Sequence, residues 1–108
     1  MPSLMDWMYV TLMLTRAMLG EVSPNMRMIS LDFHESSWNV KVYLESDDDQ
    51  DRESIDEIVS EFAIYMEDIR DSISQESYGR INSSVIISNG QLNISESENS
   101  RIIFRRRE

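Results

Sequence analysis

The chain has 108 residues, 20 acidic against 10 basic, one histidine and no cysteine, for a formal net charge of −10. That length supports one domain, residues 1–108, with one modest core, and a hydrophobic content of 41% argues against global disorder. The charge argues against direct nucleic-acid binding, which depends on neutralising phosphates, and the missing cysteine excludes a disulfide framework and thiolate chemistry.

Ser3 and Asp6 form an S-x-x-D helix start, and the helix predicted from Leu4 ends at Gly20, a natural left-handed C-terminal position. Trp7, Val10, Leu14, Ala17 and Met18 make one apolar stripe, and Leu4, Met8, Leu12 and Leu19 widen it. A helix apolar over so much of its girth is deeply buried or shared with a partner, and burial is the expectation. Asp6 and Arg16 interrupt the run, no positive segment precedes it, and it is too short to span a bilayer. No membrane association is expected, and the cytoplasm is the expected location.

After a connector with Pro24, Met26–His34 alternates, with Ile29, Leu31 and Phe33 on one face. Trp38–Glu45 alternates again through Val40, Val42 and Leu44, and the polar Glu35-Ser36-Ser37 between them reads as a hairpin turn. Asp47 to Glu76 then holds twelve of the twenty acidic residues. Within it Ile55, Ile58, Val59, Phe62, Met66 and Ile69 fall on one helical stripe. The aspartates at its start suit a helix N-terminus, where side-chain oxygens cap free N–H groups and meet the positive dipole end.

Ile81–Ser88 reads as a third strand followed by an Asn89-Gly90 turn, Gln91–Ser100 as a surface loop, and Arg101–Arg107 as a fourth strand with Ile102 and Phe104 inward. The order is α-β-β-α-β-β, which predicts an α+β fold: a four-stranded antiparallel sheet with both helices on one face and the other face open. The expected core comprises Ile29, Leu31, Phe33, Val40, Val42, Leu44, Phe62, Val85 and Ile87.

Groups with chemistry are scarce. His34 stands beside a strand end with no nucleophile in the pattern around it, and the three glycines have turn or cap explanations. Asp47, Asp49 and Asp51 imitate the opening of a calcium loop. Arg52 then replaces the glycine and Ile58 the bidentate glutamate, so no metal site is expected. No catalytic residue and no cofactor is predicted. The candidate partner-binding residues are Asp48, Asp49, Asp51, Glu53, Asp56, Glu57 and Glu61, which lie on or just before the first turns of the acidic helix.

The run from Leu14 to Ile29, LTRAMLGEVSPNMRMI, joins a Leu19-Gly20 helix end to the Ser23–Arg27 segment that leads into the first strand. With the acidic Asp47–Glu57 and the terminal Arg106-Arg107-Glu108, it resembles small acidic bacterial immunity proteins of contact-dependent growth inhibition systems. The resemblance implies a cytoplasmic inhibitor of a cognate toxin domain. Many such toxins are nucleases, basic where they hold substrate, and an acidic inhibitor complements them. The competing reading is a non-enzymatic adaptor or subunit that packs its apolar first helix against another protein; an enzyme relying on carboxylates and one histidine ranks third. A monomer is expected over a dimer.

Overall fold

The structure is a computed structural model describing residues 1–108. The Ser3 Oγ accepts from the Asp6 N–H at 3.1 Å, and the Asp6 carboxylate accepts from the Ser3 N–H at 3.2 Å, so a reciprocal capping box starts α1, Leu4–Met18. Gly20, at φ +81°, takes the left-handed turn that follows. Trp7, Val10, Met13, Leu14, Ala17 and Met18 are buried.

β1, Met26–His34, and β2, Ser37–Leu44, form the predicted antiparallel hairpin, with Ile29 opposite Val42, Leu31 opposite Val40, and Phe33 opposite Trp38. Glu35 and Ser36 turn the chain at φ 49° and 60°, a conformation that matches strand twist but costs non-glycine residues. Gly79 packs so closely on this turn that a Cβ there would collide with the Ser36 carbonyl.

α2, Asp49–Asp68, lies beside α1 on one face of the sheet, and both helices share a single core with β1 and β2. The helices run antiparallel: Arg16 near the end of α1 sits over Tyr65, while Asp6 near its start meets Ser74 and Ser77 beyond the end of α2.

The sheet is mixed, which corrects the all-antiparallel expectation. Its order is β3-β2-β1-β4, with β3, Arg80–Ile87, parallel to β2, and β4, Ser100–Arg105, antiparallel to β1. The reason is length. Twenty helical residues carry the chain back roughly 30 Å, about the span of the eight-residue β2, so the next strand starts where β2 started and must run the same way. β3 is therefore an edge strand. Val85 is only half-buried and Ile87 is 45% exposed, against the expectation that both belong to the core.

The second face is not open either. Residues 88–99 connect one edge strand to the other and lay Leu92 onto Met28 and Tyr43, with Ile86, Ile94 and Ile102 around them. Ile102 points to this side and Phe104 to the helices, because a register irregularity in β4 puts Ile103 and Phe104 on the helix side together. A matching irregularity in β1, between Met26 and Met28, turns Arg27 to the second face. There the buried Arg27 guanidinium donates to both Glu108 carboxylate oxygens at 2.7 Å and to the Ser88 and Gly90 carbonyls. This fork holds the Glu108 carboxyl at about 2.

Two predictions follow from the packing. Phe62 is fully buried between helix and sheet. Phe62→Ala costs about 3–5 kcal/mol in urea unfolding, whereas Ile64→Ala, on the exposed side of the same helix, stays within about 0.5 kcal/mol. The Asp6 carboxylate supplies the second. Burial alone would push its pKa up, but hydrogen bonds from the Ser74 and Ser77 hydroxyls and from the Ser74 and Ser3 backbone outweigh that and hold it at about 2, below the usual 3.8. A depressed folded-state pKa contributes stability above the unfolded value and loses it as pH falls through the folded one. The stability gap between wild type and Asp6→Asn therefore narrows as pH drops from about 4 to about 2, as read by urea midpoints across that range.

Candidate partner-binding surface

The acidic stretch divides its carboxylates between building α2 and facing solvent. Asp48 is the N-cap, its carboxylate accepting from the Asp51 N–H at 3.0 Å. Asp51 is 7% exposed and turned back against the connector before β1, where it accepts from the Asn25 side-chain amide at 2.8 Å. The same amide also donates to the Ser46 carbonyl, and Asn25 Oδ1 accepts from the Ser46 N–H. Asn25 thus ties the entry of β1 to the exit of β2 and the first turn of α2. Asp47, just outside the helix, pairs with Arg52 at 2.6 Å, and the hydrogen bond from that guanidinium lowers its pKa.

Asp49, Glu53, Asp56 and Glu57 are exposed, and none forms an ion pair. Glu53, Asp56 and Glu57 rim a shallow hollow with Gln50 and Ser54, and Glu21 closes it from the connector after α1. Glu61 is half-buried and accepts from the Tyr65 hydroxyl at 2.6 Å, a bond that raises the Tyr65 pKa. Of the predicted surface, Asp49, Glu53, Asp56 and Glu57 thus stand free, Asp48 is exposed but occupied, Glu61 is partly engaged, and Asp51 is withdrawn.

Glu21 was not among the predicted residues. It joins the cluster because antiparallel helices bring the residue after the α1 terminus beside the first turns of α2. No apolar side chain lines this hollow, so it suits a charged partner surface and not a small apolar ligand.

The C-terminal arginines are mostly internal fasteners. Arg101 lies 4.6 Å over the Trp7 ring, Arg105 donates to the Leu92 carbonyl, and Arg106 reaches the Pro24 carbonyl, Glu45 and Glu108. His34 is largely exposed with only Glu35 beside it, and no group of three or more His, Cys, Asp or Glu side chains converges as metal ligands would. No helix is long and apolar enough to cross a membrane.

The family model described as MafI2 immunity protein matches residues 6–108. No curated protein matches the chain.

The division of labour among the acids is measurable. Asp51→Ala leaves the Asn25 amide without its carboxylate partner and lowers unfolding free energy by about 1–3 kcal/mol. Asp56→Ala and Glu57→Ala stay within about 0.5 kcal/mol of wild type in the same denaturant titration.

Proposed function

The chain belongs to the MafI2 immunity protein family, and we propose that it neutralises its cognate toxin by covering it with the acidic face of α2. Membership in an immunity family implies a toxin as partner. The observation that favours this particular surface is the unpaired group of Glu21, Glu53, Asp56 and Glu57 around one hollow, with Asp49 a turn away. Four carboxylates without a cation repel one another, at a cost that water and salt reduce and that a basic partner removes.

In this reading the toxin is basic where it is bound, as a nuclease is where it holds phosphates, and the inhibitor occupies that region without chemistry of its own. Inhibition by occupation asks only for fast encounter and a slow exit. Complementary fields supply the first, because a negative patch facing a positive one raises the association rate and disfavours wrong partners. The toxin would be one passed between neighbouring bacteria on contact, and the inhibitor would act in the cytoplasm, where such a toxin does its damage. The whole of residues 1–108 serves as the inhibitory domain.

The test is stopped-flow association with the cognate toxin domain against ionic strength. The variant Glu53→Gln/Asp56→Asn/Glu57→Gln is expected to associate about tenfold or more slowly at low salt and to show a flatter salt slope. Its dissociation rate stays close to wild type, and its thermal midpoint is unchanged or higher. Glu67→Gln/Asp68→Asn, at the far end of α2, has the smaller effect. Equal on-rates and salt slopes for the triple variant and wild type would remove this face from the mechanism.

A further inference from the structure

Two parts of the surface lie outside the proposed binding face. One is the side of α1 that exposes Leu4, Met8 and Leu12. The other is the turn that leaves β3, and it carries reactive groups. Asn89-Gly90 is the one Asn-Gly pair in the chain. Both residues are exposed, and neither the Asn89 side chain nor the Gly90 N–H makes a hydrogen bond. Glycine puts no side chain between its nitrogen and the preceding carboxamide, so the two can meet.

The other asparagines lack this combination. Asn25 is tied through its side chain to Ser46 and Asp51, and the Met26 N–H after it donates to the Ser23 carbonyl. Asn39 and Asn82 lie within β2 and β3, where the ladder holds the backbone extended. Asn93 is followed by the branched Ile94, and the Ser100 N–H after Asn99 donates to the Ser97 carbonyl.

The position of the pair gives its chemistry a consequence. Arg27 Nη1 donates to the Ser88 carbonyl at 2.8 Å and to the Gly90 carbonyl at 2.6 Å, so one nitrogen clamps the two carbonyls on either side of Asn89. Their separation is set by the main chain that runs through Asn89 and Gly90. The guanidinium is buried and its remaining donors serve Glu108, so this clamp is part of what makes the buried charge tolerable.

We propose that Asn89 deamidates spontaneously in the folded protein and that its isoaspartyl product undoes the Arg27 clamp. The Gly90 nitrogen attacks Asn89 Cγ and loses its proton, while the bond from Cγ to the side-chain amide nitrogen breaks and ammonia leaves. Water then adds to a carbonyl of the resulting succinimide and reopens the ring. No electron is gained or lost; one water is consumed for each ammonia released. Opening at the side-chain carbonyl restores the normal backbone with aspartate at position 89. Opening at the main-chain carbonyl routes the backbone through Cβ and frees the former main-chain carboxyl as a carboxylate. The span between the clamped carbonyls is then one methylene longer, and the new carboxylate competes with Glu108 for Arg27. The disturbance reaches the 88–99 connection, whose Leu92 covers Met28 and Tyr43. This site lies on the second face of the sheet, opposite α2, so the proposal stands apart from the toxin reading.

Folded wild type held at mildly alkaline pH tests it, with intact mass, peptide mapping and isoaspartyl methyltransferase labelling as readouts. Conversion is expected at Asn89 ahead of every other asparagine, with heavy oxygen taken up from labelled water. In Gly90→Ala the added Cβ meets nothing within 4 Å, so the fold is kept while the attacking nitrogen is hindered, and conversion slows several-fold. Asn89→Asp, which carries the charge on a normal backbone, keeps a urea midpoint close to wild type. The isolated isoaspartyl form has a lower midpoint and faster amide exchange over residues 88–99. No conversion in the folded protein, conversion only after unfolding in urea, or equal rates in wild type and Gly90→Ala overturns the site. An isoaspartyl form as stable as wild type overturns the link to Arg27, as does an Asn89→Asp variant destabilised to the same extent.

Discussion

A guanidinium buried against the second face of the sheet constrains more of this structure than any apolar contact. Arg27 is charged at every accessible pH, and a buried charge is tolerated only when its donors are satisfied and its partner is close. Glu108 supplies the partner, and the Ser88 and Gly90 carbonyls take the remaining donors. Those groups come from two distant stretches of chain, 88–90 and the C-terminus, so satisfying one side chain fixes the path of both. The end of β3 must stop within reach, the connection to β4 must leave across the second face, and the C-terminal tail must return beside β1. Once that path is set, Leu92 falls on Met28 and Tyr43, and a small apolar cluster closes over what the hairpin pattern alone would leave to water. The tail is then held again by Arg106, which bonds to the Pro24 carbonyl and Glu45.

The helix side obeys a simpler rule. Its core is apolar, and its two polar junctions sit at helix starts. Asp6 closes the α1 capping box and also accepts from Ser74 and Ser77, while Trp38 donates its indole N–H to the Ser77 carbonyl. The 3-10 turn Gln75–Ser77 is thereby pinned from the helix and from the sheet at once. At the other end Asn25 links the starts of β1 and α2 through Ser46 and Asp51. These two junctions fix how α2 lies across the sheet, and hence which of its acids face outward.

Much of this was legible in the chain because periodicity reports burial directly. Ile29, Leu31, Phe33, Val40, Val42 and Leu44 alternate as a half-buried hairpin must, and Ile55, Ile58 and Phe62 repeat as a helix on a core must. What escaped depends on partners far away in sequence. The length of α2 contained the parallel pairing of β3, but only if α2 is taken as a crossover and not as a free-standing helix. Arg27 resembled an ordinary solvent-facing strand residue, since nothing local announces a carboxylate 81 positions later. Leu92 and Ile94 were too few to mark a segment that covers a face. Both sheet irregularities shifted side chains by one position, a change that alternation cannot anticipate. The acidic surface was legible as charge but not as geometry. Helix capping occupied Asp48 through local chemistry, Asn25 withdrew Asp51 from 26 positions away, and Glu21 entered only through the antiparallel packing of the helices.

The charge and the apolar face of α1 explain one another. Exposed leucines and methionines on one helix would make a chain of low net charge associate indiscriminately, because apolar contact has no direction. A net charge of −10 sets a repulsive background against every like-charged approach. The acids of α2 therefore act beyond their own surface. On the proposed reading they would attract a basic partner at one end of the helix layer, and their repulsion discourages contact between like-charged copies. Solubility and recognition, which look like rival explanations for the same carboxylates, would on that reading be two consequences of a single field.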